Sequence, residues 1–444
     1  MTGCAKWMPV GIATVLHFLV DGLCLCCLYL MAAAATAAAP ATDLLPLFLT
    51  YNILAFMTQP LTGWWTDRLS HPHKALLLSS CLLTAAVSML MADTLWWGFT
   101  PFSTFAVAIL LGMGNSMFHV WGGKLTAVLT GNDMRALGIF VSTGAMGLAF
   151  GALYASWWLM AGMLLCIALA ATSLPLLFQR RGEAIALRNQ QLGGAIPPSF
   201  GGVGGGFLLA ILVFVMFRSF VGEVVPTGLE RTSDVLLPLA IAAMIGKAGG
   251  GWIARWLGIG HAIVACVCVT AICMMWRGED STSLLPVILS VMAINFTMPM
   301  TLHLANRLFP KREGLSFGLL AAVLIPGYML AHHLQLSSMH YFMLSALLLT
   351  ISVEIGMLLL MGEKRKGLLM GAVAINILTN VPLNYFLLTF GTSTERIVGG
   401  ELLVLLVEAL WYFAFTRGWR KAAIYSLICN ATSFLVGILI QLII

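Results

Sequence analysis

Long apolar runs, each closed by a few polar residues, follow one another along the whole chain. A helix needs about 20 mostly apolar residues to cross a bilayer. Fifteen runs approach or exceed that length, near 8–33, 43–66, 74–92, 98–126, 136–155, 157–178, 206–226, 234–256, 260–276, 283–305, 314–331, 339–362, 367–389, 397–415 and 420–444. The pattern predicts an all-α polytopic membrane protein. The first run follows Lys6 and precedes the alanine-rich stretch up to Pro40, which superficially resembles a secretory signal. It is too long for a signal core and carries His17 and Asp21 inside it, so it reads as a first membrane helix.

Composition sharpens this. Of 444 residues, 60% are hydrophobic and 9% charged, with a mean hydropathy of +0.97, whereas soluble domains are roughly 25% charged. A soluble enzyme, a disordered chain, a nucleic-acid binder and a secreted disulfide scaffold each need polar surface that is missing. The ten cysteines sit mostly in apolar stretches without metal-type spacing and behave as small hydrophobes. With the N-terminus inside, most of the 23 Lys and Arg residues fall in or beside cytoplasmic segments, including Lys6, Arg68, Lys74, Arg135, Arg180, Arg181, Arg255, Lys311, Arg312, Lys364 and Arg420. That bias predicts a cytoplasmic N-terminus and a C-terminus on the outer side of the membrane. Among the remainder, Lys124 falls near the inner end of the fourth run, and Arg218 and Lys247 fall in mid-span.

The longest polar gap, 179–205, contains Arg-Arg, Pro-Pro and a glycine-rich stretch, and reads as a flexible cytoplasmic linker. Segments on its two sides echo one another. Asp43-Leu-Leu-Pro-Leu47 followed by Gly63-Trp64 is answered by Asp234-Val-Leu-Leu-Pro-Leu239 followed by Gly251-Trp252. Repeats of six helices in parallel orientation are the plan of many secondary transporters, with a substrate site at the repeat interface. The expected organisation is a six-helix bundle over 1–178, the linker 179–205, a second six-helix bundle over 206–362 and a three-helix membrane extension over 363–444.

Several motifs carry a family likeness. Gln59-Pro-Leu-Thr-Gly-Trp-Trp-Thr-Asp67-Arg68 resembles the Gly-x-x-x-Asp-Arg loop of the major facilitator superfamily. Taken with His17-Phe-Leu-Val-Asp21, Gly112-Met-Gly-Asn-Ser-Met-Phe-His119, the series Gly144, Gly147 and Gly151, and Phe217-Arg218-Ser-Phe, it resembles the fosmidomycin-resistance branch over roughly residues 8 to 335. The resemblance implies a major facilitator fold and drug export by proton antiport across a bacterial inner membrane, the C-terminus then being periplasmic, with Asp67 and Arg68 as gating residues. The chain departs from the pattern at Gly151-Ala152, where Gly-Pro is usual, and at Ser70-His-Pro-His73, where glycine and basic residues are expected.

Ionisable side chains at membrane depth are costly, so each is a functional candidate. Asp21 has His17 one turn away on the same face, and a carboxylate there can load and release a proton. The alternative is that Asp21 permanently pairs with Arg218. His119 is a candidate proton relay. Arg218 and Lys247 would attract an anionic substrate, arginine as a two-pronged donor and lysine as a point charge, with Asn115 beside them. In the extension, Glu354, Asn376, Asn380, Asn384, Glu401, Glu408, Asn430 and Ser433 form a polar set. It would be either a second small site or a set of hydrogen bonds that docks the extra helices. No phosphate loop, zinc helix or nucleophile elbow is present, so no enzyme activity, cofactor or metal is expected. The expected partners are a small-molecule substrate, protons and the lipid bilayer around a monomer. The expected function is proton-coupled export of a small organic compound, the alternatives being import of an organic anion or a membrane scaffold.

Overall fold

The computed structural model describes residues 4–38, 44–69, 71, 73–98, 100–177, 203–230, 232–277, 283–334 and 338–443. Most of the expected linker and Asp43 lie outside them. The described residues fold into helices with no strand: α1 Cys4–Ala38, α2 Leu45–Asn52, α3 Gln59–Thr66, α4 His73–Ala92, α5 Pro101–Thr130, α6 Met134–Leu153, α7 Trp157–Leu177, α8 Val203–Val224, α9 Ser233–Leu257, α10 Ile259–Arg277, α11 Leu284–Asn295, α12 Met298–Leu308, α13 Glu313–Ala322, α14 Leu324–Leu334, α15 Ser338–Leu360, α16 Lys366–Phe390, α17 Thr394–Thr416 and α18 Trp419–Ile443.

Among the described residues, fourteen helical stretches are long and apolar enough to cross a membrane. The predicted span 43–66 is not one of them; there α2 and α3 are separated by a π-helical turn, Ile53–Met57. Pro60, in the first turn of α3, cannot donate to the preceding turn and its ring crowds the carbonyl four residues back, so the helix widens there. Pro299 likewise starts α12 and divides a span at Phe296 and Thr297. The outer surface is apolar: Trp256 is 91% and Trp158 90% exposed. Such side chains belong against lipid rather than water.

Packing is set by glycines. A Cβ at Gly147 would strike the carbonyl of Phe18, and one at Gly151 the carbonyl of Gly22, so α6 lies backbone to backbone on α1. This small-residue contact replaces the missing hydrophobic drive between helices in lipid. Two further joints link helices before residue 178 to helices after 202, α6 with α9 and α3 with α13. Gly251 meets the backbone of Arg135 in the first, and Gly63 meets Gly314 in the second. Both joints lie at the end of the molecule where α1 begins. Helices α16 and α18 pack on α15, α17 packs on α16 and α18, and α15 itself packs on α10. Tyr412, Ala422, Cys429, Leu358 and Ala372 form a separate apolar cluster there.

Candidate functional site

A cavity of about 470 Å³ lies between α1, α2, α5 and α6 on one side and α8, α9, α11, α12, α13 and α14 on the other. It is bounded toward the α3–α13 joint by Gln59 and Phe317, and it extends to Glu223 and Tyr328 near the opposite ends of their helices.

One wall holds His17 and Asp21 from α1 and His119 from α5. The helical spacing of His17 and Asp21 brings Nε2 within 3.3 Å of Oδ2. The Thr100 capping box at the start of α5 and the left-handed Gly131 at its end (φ +66°) fix the helix that carries Asn115, His119 and Lys124. His119 Nε2 stands 3.5 Å from Asp21 Oδ1 and 2.8 Å from His17 Nε2. Asn115 donates to Asp21 Oδ1 over 2.9 Å. All three ionisable residues are buried, with at most 8% of their surface exposed. Space for them comes from Gly144, where a Cβ would lie 2.5 Å from Asp21 Oδ2 and 2.6 Å from His17 Nε2.

The hydrogen positions follow from the partners. His17 Nδ1 donates to the Phe140 carbonyl over 2.8 Å, and His119 Nδ1 to the Asn115 carbonyl over 3.0 Å. A carbonyl only accepts, so both rings carry their hydrogen on Nδ1 and, when neutral, present a bare lone pair at Nε2. Two bare lone pairs at 2.8 Å repel; the contact becomes attractive when one further cation, such as a proton, is shared between them.

The facing wall holds two cations. Arg218 on α8 is buried and donates to Thr301 Oγ1 over 3.4 Å, its one partner among the described residues. Lys247 on α9 lines the same cavity with no hydrogen bond or ion pair among the described residues. Asp21 does not pair with Arg218; its partners are His17, His119 and Asn115. Asn115 stands behind Asp21, away from the cations, and does not line the cavity.

The two residues of the Asp-Arg loop part company. Asp67, buried, accepts from the backbone N–H groups of Gly314 (3.0 Å) and Leu315 (2.8 Å) and pairs with Lys124 Nζ at 3.1 Å. A carboxylate is well placed there, because the free N–H groups opening α13 carry partial positive charge. Arg68 is exposed, lies over the Trp64 ring at 3.7 Å and takes no part in the joint. Sequence reasoning placed Lys124 near the inner end of the fourth run but gave it no role.

In the C-terminal helices, Glu354 accepts from Asn376 (2.7 Å) and Ser433 (3.3 Å), and Glu408 from Asn430 (2.6 Å) and Thr379 (3.1 Å). Asn380 donates to Asn376 over 3.0 Å. Glu401 is half-buried and outside this network. Four helices, α15 to α18, are thereby tied through two buried carboxylates.

No family profile matches the chain, and no curated protein does. Solved structures do. The E. coli fucose:proton symporter superimposes with a TM-score of 0.50 at 11% identity, covering 81% of this chain and 100% of its own. A bacterial homologue of the iron transporter ferroportin in its outward-facing state gives a TM-score of 0.53 at 16% identity, covering 80% of this chain and 98% of its own. The same homologue with soaked iron gives 0.51 at 15% identity, with 80% and 99% covered. The chain shares the helical fold of these transporter structures. Within this fold the cavity lies between two groups of helices.

Proposed function

We propose that the protein is a proton-coupled secondary transporter of a small organic anion, built from bundles 1–178 and 206–362 with the extension 363–444 attached to the last core helix. One observation carries this reading. A carboxylate with two histidines stands on one wall of a cavity whose other wall presents Arg218 and Lys247 without a carboxylate partner among the described residues. Residues of both sequence halves contribute, as a midplane site requires.

The sign of the coupling follows from charge. A proton taken up by the His17–Asp21–His119 cluster makes the cavity more positive, so an anion near Arg218 and Lys247 binds better. Reciprocally, a bound anion favours the protonated cluster. Proton and anion then load together, which supports co-transport and therefore uptake. The resemblance to fosmidomycin-resistance exporters points the other way. Exchange needs a substrate whose own cationic group competes with the proton for Asp21, an additional demand on the ligand. Asp67, Lys124 and the opening turn of α13 serve as the releasable joint for alternating access.

The test uses membrane vesicles of known orientation with an imposed pH gradient and a panel of labelled organic anions, fosmidomycin among them. Gradient-driven anion accumulation that falls to background in Asp21→Asn, with anion binding retained, is the expected result. Gradient-driven transport undiminished in Asp21→Asn would remove the coupling role, and movement against the proton flow would replace uptake by export.

A further inference from the structure

The same wall of the cavity has a second property, which does not depend on whether protons drive transport. Three different donors converge there: Nε2 of His17, Nε2 of His119 and the carboxylate of Asp21, with one ligand atom from each lying within 4.8 Å of the others. Among the described residues, no other three His, Cys, Asp or Glu side chains meet in this way. Two donors held about 2.1 Å from one ion lie about 3 Å apart at a right angle and somewhat farther apart in a tetrahedron. The two Nε2 atoms are 2.8 Å apart, His17 Nε2 is 3.3 Å from Oδ2 of Asp21 and His119 Nε2 is 3.5 Å from Oδ1, so the separations are close to these values and the carboxylate turns a different oxygen to each ring.

The surroundings are those of metal-binding histidines. Each ring donates its Nδ1 hydrogen to a main-chain carbonyl, which fixes the tautomer and turns the Nε2 lone pair toward the shared point. Asn115 fixes the carboxylate, and its own Oδ1 is buried beside it with no hydrogen-bond partner. The ring of His17 is stacked on Phe140, which restrains it further. The lone pairs therefore converge on a point that favours a cation, and the side toward the cavity is free for further ligands.

We propose that His17, Asp21 and His119 form a binding face for one divalent transition-metal ion of the zinc or cobalt type, open to the cavity on its remaining side. Two imidazoles and one carboxylate suit such ions and not calcium or magnesium, which take oxygen donors. Arg218 and Lys247, the cations on the opposite wall, oppose a bare dication, and the carboxylate of Glu223 lines the cavity on that wall too, so the open positions should be filled by an anion that both ligates the ion and meets the two cations. Metal and proton compete for the same lone pairs, so binding weakens as the pH falls.

The experiment is a titration of the full-length, chelator-stripped protein in detergent with Co²⁺ alone, read by its visible ligand-field absorption. Expected are one ion per chain, a spectrum of mixed nitrogen and oxygen ligation, displacement by Zn²⁺, and weakening by about a hundredfold in His17→Gln and in His119→Gln. The wild-type spectrum is decisive even if a variant fails to fold. Absence of a stoichiometric nitrogen-ligated spectrum overturns the proposal, as does binding that survives unchanged in both variants. Gradient-driven transport is measured separately in metal-free vesicles, so failure of metal binding and failure of proton coupling remain distinguishable.

Discussion

A histidine that gives its Nδ1 hydrogen to a backbone carbonyl has one use left for the ring, and in His17 and His119 that use is the same point in space. The position of that point depends on Gly144, whose missing side chain is the room the cluster occupies. Gly144→Ala should leave the protein folded, since neighbouring side chains can shift, but displace Asp21 and His17. A misplacement of about 1 Å costs about a hundredfold in rate, and transport by the variant at matched membrane expression should fall by that order. Wild-type transport in Gly144→Ala would mean that the cluster tolerates displacement and does no positioned chemistry. All three members of this cluster were named from the sequence, but only the contact between two of them was legible there. His17 and Asp21 share a helical face by spacing alone, whereas His119 lies a hundred residues away and comes to them only through the packing of α1, α5 and α6. The expected site of Asn115 among the substrate-binding residues rested on its neighbours in sequence, which do not record which way an amide points.

At the level of elements, the turn between α15 and α16 shows how a short segment holds a large appendage. Glu363 accepts from the guanidinium of Arg365 and from the backbone N–H groups of Lys364 and Arg365, and Tyr425 of α18 donates to it over 3.2 Å. The hydrogen bond from Arg365 is the main reason its carboxyl is held down at about 2. A lowered folded value means that the stabilisation is complete above the ordinary carboxylate range and disappears as the pH falls from about 4.5 toward about 2. Arg365 is half exposed and screened by solvent, so Glu363→Gln should cost about 1 kcal/mol at neutral pH. Thermal unfolding in detergent should show the gap between wild type and variant closing as the medium is acidified. A gap that is constant with pH would assign the loss to packing instead. Hydrophobic runs located nearly every helix but not the breaks inside them. Prolines at 60 and 299 were visible, yet only the neighbouring carbonyls decide whether a helix bends, widens or stops.

For the molecule as a whole, closure at one end rests on close backbone contact, Gly63 with Gly314 and Gly251 with Arg135, and on one carboxylate seated at the start of α13. Removing the charge while keeping the shape, as in Asp67→Asn, takes the counter-ion from buried Lys124 and weakens both backbone contacts. Breaking one partner of a buried pair costs about 3–5 kcal/mol, enough to shift a two-state balance by more than a hundredfold. Amide hydrogen exchange over 59–66 and 313–322 should rise accordingly, with exchange in α15 to α18 unchanged; equal protection in both proteins would show that the glycine contacts alone keep this end shut.

The position of α15 has a mechanical meaning of its own. One helix packs on one flank against α10 and is bonded on the other to α16 and α18, so in the proposed alternating-access cycle the three last helices are an outrigger fixed to a moving hull. Any tilt of the second bundle must sweep that outrigger sideways through lipid. The stiffness and viscosity of the surrounding bilayer should then enter the turnover rate directly, through drag on helices that never touch the cargo.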